Sequence, residues 1–294
     1  MIARENFIDR LKGHAPLPGE SPDMARDNFS AMYTGYQEKN LPEPEQVRIR
    51  DDLFAYWIRT PASKDRRVML FFHGGGFSVG STKDHLGLIA GLAHAADAAV
   101  FSIDYRLAPE HRFPAALEDA TAAYRFLLEQ GYDHRSLVPA GISAGGTLAI
   151  GLLLAVRDAG IQLPAAAIAM SPAVDMLFSG DSVERNRNLD WIPPERLHAI
   201  REVYLAGSDP RNPLASPVYA DLSGLPPLLV QAGTHEVLLD DITRFAEKAQ
   251  ICGVPLTYER YQGMFHCWQV FIRDVAEAGE AIIHAGEFVK KHIP

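Results

Sequence analysis

A mainly parallel α/β sheet covered by helices on both faces is the fold class this sequence predicts, and three observations predict it. From residue 68 onward, short apolar runs take turns with longer helix-like segments, the pattern of successive strand and helix units. Several of these runs, "VMLFF" at 68–72 among them, are apolar at consecutive positions, as strands buried on both faces are. Three runs lead directly into glycine-bearing turns that carry Ser, His or acidic residues, at the strand ends where such a sheet places its ligands.

The elements follow in order. Residues 1–46 are polar and broken by Pro16, Pro18, Pro22, Pro42 and Pro44, with helix-like pieces at about 2–11 and 21–37. They read as an arm that packs on the main body, residues 47–294. "VRIR" at 47–50 and "LFAYWIRT" at 53–60 alternate as half-buried antiparallel strands do. Beyond 68–72 the strand readings are "AVFSIDY", "SLVPA", "AAAIAM", "PLLVQAG" and "PLTYERY", which makes about eight strands in all. Helices are expected near 85–96, 114–130, 144–159 and 239–251, with one more at the C-terminus. Pro139 argues against a central strand at 136–140, since it cannot donate a ladder bond. Residues 176–213 interrupt the rhythm with a polar stretch and a single helix, and are expected to lie over one end of the sheet.

Composition narrows the function. With 294 residues, 47% hydrophobic and 22% charged, the chain can bury a large core as one domain. Lys and Arg total 28 against 37 Asp and Glu, a net charge of −9, and no basic stripe is present, so nucleic acid is not an expected partner. The first 14 residues lack the apolar core of a secretory signal. The uncharged run 139–156 contains four glycines and a proline, which fits a turn and buried helix better than a membrane span. Cys252 and Cys267 match no disulfide framework or zinc spacing, and free thiols in a reducing cytoplasm are expected. No cofactor or metal is expected.

Three strand ends carry the chemistry. In "FFHGGGFSVG" the glycines Gly74, Gly75 and Gly76 leave backbone N–H groups open to an anion, either a phosphate or an oxyanion. The dinucleotide fingerprint fails at Val79 and the nucleotide-loop ending is absent. Gly141-Ile142-Ser143-Ala144-Gly145 satisfies G-x-S-x-G between a strand and a helix, so Ser143 is either a nucleophile on a sharp turn or a small residue required by that turn. In "THEVLLDD" Glu236 is the acid best placed in the turn, with Asp240 in reserve, because Asp240 and Asp241 read as the opening of the next helix. A H-E-x-x-H zinc site is excluded by Leu239. His266, in a loop before the last helix, is the candidate base in the order serine, acid, histidine.

These motifs together resemble the hormone-sensitive-lipase family of α/β-hydrolase carboxylesterases, bacterial family IV. They are "HGGGF" at 73–77, "YRLAPEHRFPAALED" at 105–119, "GISAGG" at 141–146, "SPAVD" at 171–175, "DPRNPLASPVYADLSGLPPLLVQAG" at 209–233, "EVLLDD" at 236–241 and "GMFH" at 263–266. The resemblance implies an α/β-hydrolase fold with a helical cap made by the arm and by residues 176–213. It implies Ser143 as nucleophile, His266 as base, Glu236 as acid, and the N–H groups of Gly75, Gly76 and Ala144 as an oxyanion hole, with His73 bracing the glycine loop. Two positions depart from the family's usual pattern: Ile142 stands where Asp is common, and Glu236 where the acid is commonly Asp. The implied activity is hydrolysis of short-chain acyl esters, with lactones as a variant. Phe29, Tyr33, Phe178, Trp191 and Tyr204 are the expected pocket residues, to which the cap readings add Tyr36. The expected partners are a small-molecule ester and, at most, a second copy of the chain. The rival readings are a non-catalytic binding protein on the same fold and an amidase or carbon–carbon hydrolase using the same serine.

Overall fold

A computed structural model describes residues 4–12 and 20–294. In chain order its elements are α1 (Arg4–Lys12), α2 (Pro22–Gly35), β1 (Glu45–Arg50), β2 (Leu53–Ile58), β3 (Lys64–Phe72), α3 (Leu86–Ala96), β4 (Ala98–Asp104), α4 (Ala115–Glu129), β5 (Leu137–Ile142) and α5 (Ala144–Asp158). There follow β6 (Ala167–Met170), α6 (Ser182–Arg185), α7 (Pro194–Leu205), β7 (Leu228–Gly233), α8 (Leu239–Ile251), β8 (Leu256–Tyr261) and α9 (Ala276–His292). The start of the first expected helix, at residues 2 and 3, and Pro16 and Pro18 lie outside the described residues.

The eight strands form one sheet in the order β1-β2-β4-β3-β5-β6-β7-β8, antiparallel through β1, β2 and β4 and parallel from β4 to β8. This is the α/β-hydrolase arrangement that the sequence predicts. Strands β4, β5, β6 and β7 are buried along almost their whole length, whereas the edge strands β1 and β8 are only partly so. Consecutive apolar residues therefore mark the centre of the sheet and broken patterns mark its edges. Pro139 does occupy a central strand. It is registered with Leu70 of β3 and precedes the first registered β5–β6 pair, Ala140 with Ile168, so its missing N–H interrupts no rung of that ladder.

The first turn of α5 shows how the sequence positions the site. It holds Gly145 and Gly146, and a Cβ on Gly145 would overlap the carbonyl oxygens of Phe72 and His73. The helix thus rests directly on the end of β3 and brings residue 143 beside the glycine loop. Gly145→Ala should push that contact apart and destabilise the fold by about 1–3 kcal/mol, the usual cost of forcing atoms into a packed interior. A drop in thermal midpoint of the purified variant would show it, and an unchanged midpoint would rule out the contact as drawn.

Over the carboxyl ends of the strands lie α2 and the segment 176–213, which now contains two helices, α6 and α7, rather than the one expected. Ser21 caps α2 by accepting from the Met24 N–H, and Pro22 starts the helix where no N–H is needed. The buried face of α2 presents Phe29 and Tyr33, whose rings stack 4.1 Å apart.

Candidate active site

Ser143 sits between β5 and α5 with φ 54° and ψ −121°, a combination that costs a residue with a Cβ on the order of 1–3 kcal/mol. Its N–H donates to Met170 O at 2.8 Å, anchoring the turn on β6. The small neighbours are required by contact: a Cβ on Gly141 would overlap the Gly145 backbone. Ile142 is fully buried, and both its carbonyl and its side chain lie against Gly74. Ile142 thus contributes packing against the glycine loop at the position where the family commonly has Asp.

Ser143 Oγ lies 2.8 Å from His266 Nε2, and His266 Nδ1 lies 2.9 Å from Glu236 Oε2. The other carboxylate oxygen of Glu236 accepts from the Gly233 N–H at 2.6 Å and from the Ser171 hydroxyl at 2.9 Å. The reserve acid is elsewhere: Asp240 accepts from Arg185 and from the Ser182 N–H. Glu236 reaches the imidazole because the turn after β7 carries it three positions beyond Gly233, the last residue of the strand, and its carboxylate folds back on the Gly233 N–H.

The glycine loop is held from below. The Gly74 N–H donates to His85 Nε2 at 3.2 Å, His73 Nδ1 meets Gly74 O at 2.8 Å, and the His73 ring stacks on Tyr105 with centroids 4.1 Å apart. Burial pulls His73 below its ordinary range and takes His85 down to about 3, so both act as neutral braces. Gly75 (φ 123°) and Gly76 (φ 59°) are left-handed, and a Cβ on Gly75 would overlap Val79 O. Among the described residues nothing accepts a hydrogen bond from the N–H groups of Gly75, Gly76 or Ala144, and all three residues line the same cavity as Ser143 and His266.

That cavity holds about 570 Å³ of empty space, its mouth included. Phe29, Tyr33, Phe178 and Trp191 line it as expected. Tyr204 does not: its ring is stacked on Phe77 at 3.7 Å, and it is Phe77 that faces the cavity. Tyr36 is also displaced, packing against Phe7 and Phe271. Sequence reasoning missed Met176, Ile192, Leu197 and Ile200, ordinary apolar residues that become pocket lining only through the path of segment 176–213, and Leu238, which precedes α8. It also missed the buried carboxylate of Asp190, hidden in a polar stretch with no motif around it.

The charge balance favours proton uptake at His266. Burial disfavours its imidazolium, but the facing Cys267 and Glu236 more than offset this, and His266 lies well above its ordinary range. Burial pushes the Cys267 thiol itself up, and the Glu236 carboxylate, 2.9 Å from Nδ1, is the partner that hydrogen-bonds the imidazolium. The arrangement can deprotonate a hydroxyl, hold the resulting cation and accept a developing anion on three N–H groups. Among the described residues no cluster of His, Cys, Asp and Glu could hold a metal ion, and no helix is long and apolar enough to cross a membrane.

Known proteins share this architecture. A family profile described as alpha/beta hydrolase fold matches residues 69–270. An acetyl-hydrolase of Streptomyces hygroscopicus is 46% identical over 237 residues, 80% of this chain and 79% of that protein. An esterase of Acinetobacter venetianus is 36% identical over 233 residues, 79% of this chain and 77% of that protein. A crystal structure of an esterase from the bacterial hormone-sensitive lipase family superposes with a TM-score of 0.94 at 39% identity, covering 99% of this chain and 98% of the other.

Proposed function

The chain belongs to the hormone-sensitive-lipase family of α/β-hydrolase esterases and is a carboxylic ester hydrolase, and from that premise we propose that it cleaves short-chain acyl esters through Ser143, His266 and Glu236. The observation that carries the reading is the unbroken relay from Ser143 Oγ through both nitrogens of His266 to Glu236 at the floor of an apolar cavity.

In this mechanism neutral His266 takes the Ser143 proton as Oγ attacks the ester carbonyl carbon, and the carbonyl oxygen becomes an oxyanion facing the N–H groups of Gly75, Gly76 and Ala144. Glu236 stabilises the imidazolium. His266 then returns the proton to the departing alcohol, leaving an acyl-serine. Water enters, gives a proton to His266 and attacks the acyl carbon; on collapse the acyl–Oγ bond breaks, His266 returns the proton to Oγ, and the acid is released with Ser143 and neutral His266 restored. Small lactones present the same carbonyl and fall within the same proposal.

The short-chain preference is supported by the lining, in which Phe29, Tyr33, Phe178 and Trp191 occupy the space a long chain would need. One relative is named an acetyl-hydrolase, and a neighbouring structure was soaked with p-nitrophenyl butyrate. We place the reaction in the cytoplasm, where the unpaired thiols of Cys252 and Cys267 persist. The arm and segment 176–213 act together as a cap over the body 47–294, since both contribute cavity residues.

Hydrolysis of p-nitrophenyl esters from acetate to laurate tests the reading. Turnover should peak at acetate or butyrate and fall steeply beyond them; a maximum at laurate would reject the small acyl pocket. The pH profile follows from His266. Only its neutral form accepts the Ser143 proton, and its pKa is raised, so kcat/KM should increase with pH through a midpoint above ~6.5. A midpoint below that value would contradict the charge balance assigned to Glu236.

A further inference from the structure

We propose that Asp190 is a positioning residue that fixes the loops bearing His266 and Glu236 relative to one another and ties both to the segment covering the cavity. The inference rests on the reading of those two residues as base and acid.

One fully buried carboxylate serves both loops. Asp190 Oδ1 accepts from the N–H of His266 at 3.0 Å and from the N–H of Trp191 at 2.8 Å, while Oδ2 accepts from the N–H of Val237 at 2.9 Å. Two neighbours in the chain complete the grip. The Asn186 side-chain amide donates to the carbonyl of Glu236 at 2.8 Å, and the Trp191 indole donates to the carbonyl of His266 at 2.7 Å. The carbonyl of Glu236 and the N–H of Val237 are two ends of one peptide group, so Asn186 and Asp190 hold that peptide from both sides. His266 is likewise held at its N–H and at its carbonyl. None of these atoms touches the cavity's reacting groups, yet together they set where the two side chains start.

The constraint works in both directions. A carboxylate taken out of water is costly unless its lone pairs are filled, and here the filling groups are the three N–H donors. If either loop moves, Asp190 loses a donor it cannot replace. The charged or titratable groups facing it are His266, Glu236 and Cys267. Burial pushes Asp190 up to about 6, His266 opposes that and Glu236 adds to it. Above that value the anion at Asp190 adds to the field that holds the His266 imidazolium.

Asp190→Asn separates this role from simple support. Its amide nitrogen cannot accept, so one loop loses its acceptor. Rates with p-nitrophenyl butyrate, counted per active serine by titration with an organophosphate, should show kcat lowered roughly 10- to 100-fold, as expected for a small misplacement of reacting groups. KM should stay within about twofold, and the acid limb of kcat/KM should move to lower pH because a facing anion is gone. A residue that only supports the fold would lower the thermal midpoint and the count of active serines while leaving per-site kcat and the limb at wild-type values, and that result overturns the proposal. Ser143→Ala, run alongside, keeps the two readings apart. If it retains activity the underlying mechanism fails; if it is inactive while Asp190→Asn matches the wild type, only the positioning role fails. Should Asp190→Asn not fold, hydrogen exchange of the wild type decides. The amides of Trp191, Val237 and His266 share one acceptor group and should exchange within about tenfold of one another, and exchange of Val237 or His266 more than about a hundredfold faster than Trp191 would overturn the clamp.

Discussion

Ser143→Ala should bind esters with near wild-type affinity and lose on the order of 10⁶ in turnover, the scale of effect when a serine nucleophile is removed from such a relay. The loss is large because, among the described residues, the hydroxyl that hydrogen-bonds His266 Nε2 is that of Ser143, at 2.8 Å. A residual rate near 10⁻² of wild type would mean that another nucleophile, such as bound water, can use the same base. The backbone supplies a second readout. At φ 54° and ψ −121° residue 143 occupies a region that glycine enters freely and alanine does not. Ser143→Gly should therefore be as inactive as Ser143→Ala yet melt at a higher temperature, because about 1–3 kcal/mol of strain is relieved. Equal melting temperatures would show that the turn is not strained and that serine is held there without cost.

The ease of reading this site from sequence follows from where its information sits. The turn at 141–145 is governed by close approach of backbones, which only glycine satisfies at Gly141 and Gly145, so local sequence specifies it. The central strands are legible for a similar reason, since burial on both faces demands apolar residues at consecutive positions. Segment 176–213 obeys neither rule. Its polar residues are consumed in contacts distant in sequence, Asp190 with Val237 and His266, Ser182 with Val237 and Asp240, and such pairings leave no period or motif. Tyr204 illustrates the same limit within the pocket. An aromatic residue on a covering helix is a fair candidate for lining, but whether it faces the cavity or stacks behind Phe77 depends on the rotation of α7, and the low amphipathicity of that helix does not set it. His266 lay between these extremes: its place after a strand singled it out, while the hydrogen bonds that orient it come from residues 30 or more positions away.

Glu236→Gln isolates the contribution of the acid, and the geometry dictates how the amide must sit. The Gly233 N–H can only donate, so the side-chain oxygen of Gln must take the position of Oε1, 2.6 Å from that nitrogen. This turns the amide NH₂ toward His266 Nδ1, which then has to accept. The imidazole is driven into the tautomer with its proton on Nε2, the nitrogen that faces Ser143, and it can no longer take the serine proton. Turnover should fall by about 10⁴, the scale of loss when a triad acid is replaced by its amide, with KM little changed because the acid does not line the cavity. The same variant should bring the acid limb of any remaining activity to lower pH, since the carboxylate that raises His266 has been removed. A mere tenfold loss would indicate that Ser171, whose hydroxyl can donate or accept, lets the amide flip and keeps the working tautomer. In that event Ser171→Ala in the Glu236→Gln background should restore the full loss, because the Gly233 N–H, which can only donate, would then hold the amide oxygen at the Oε1 position without competition from the Ser171 hydroxyl.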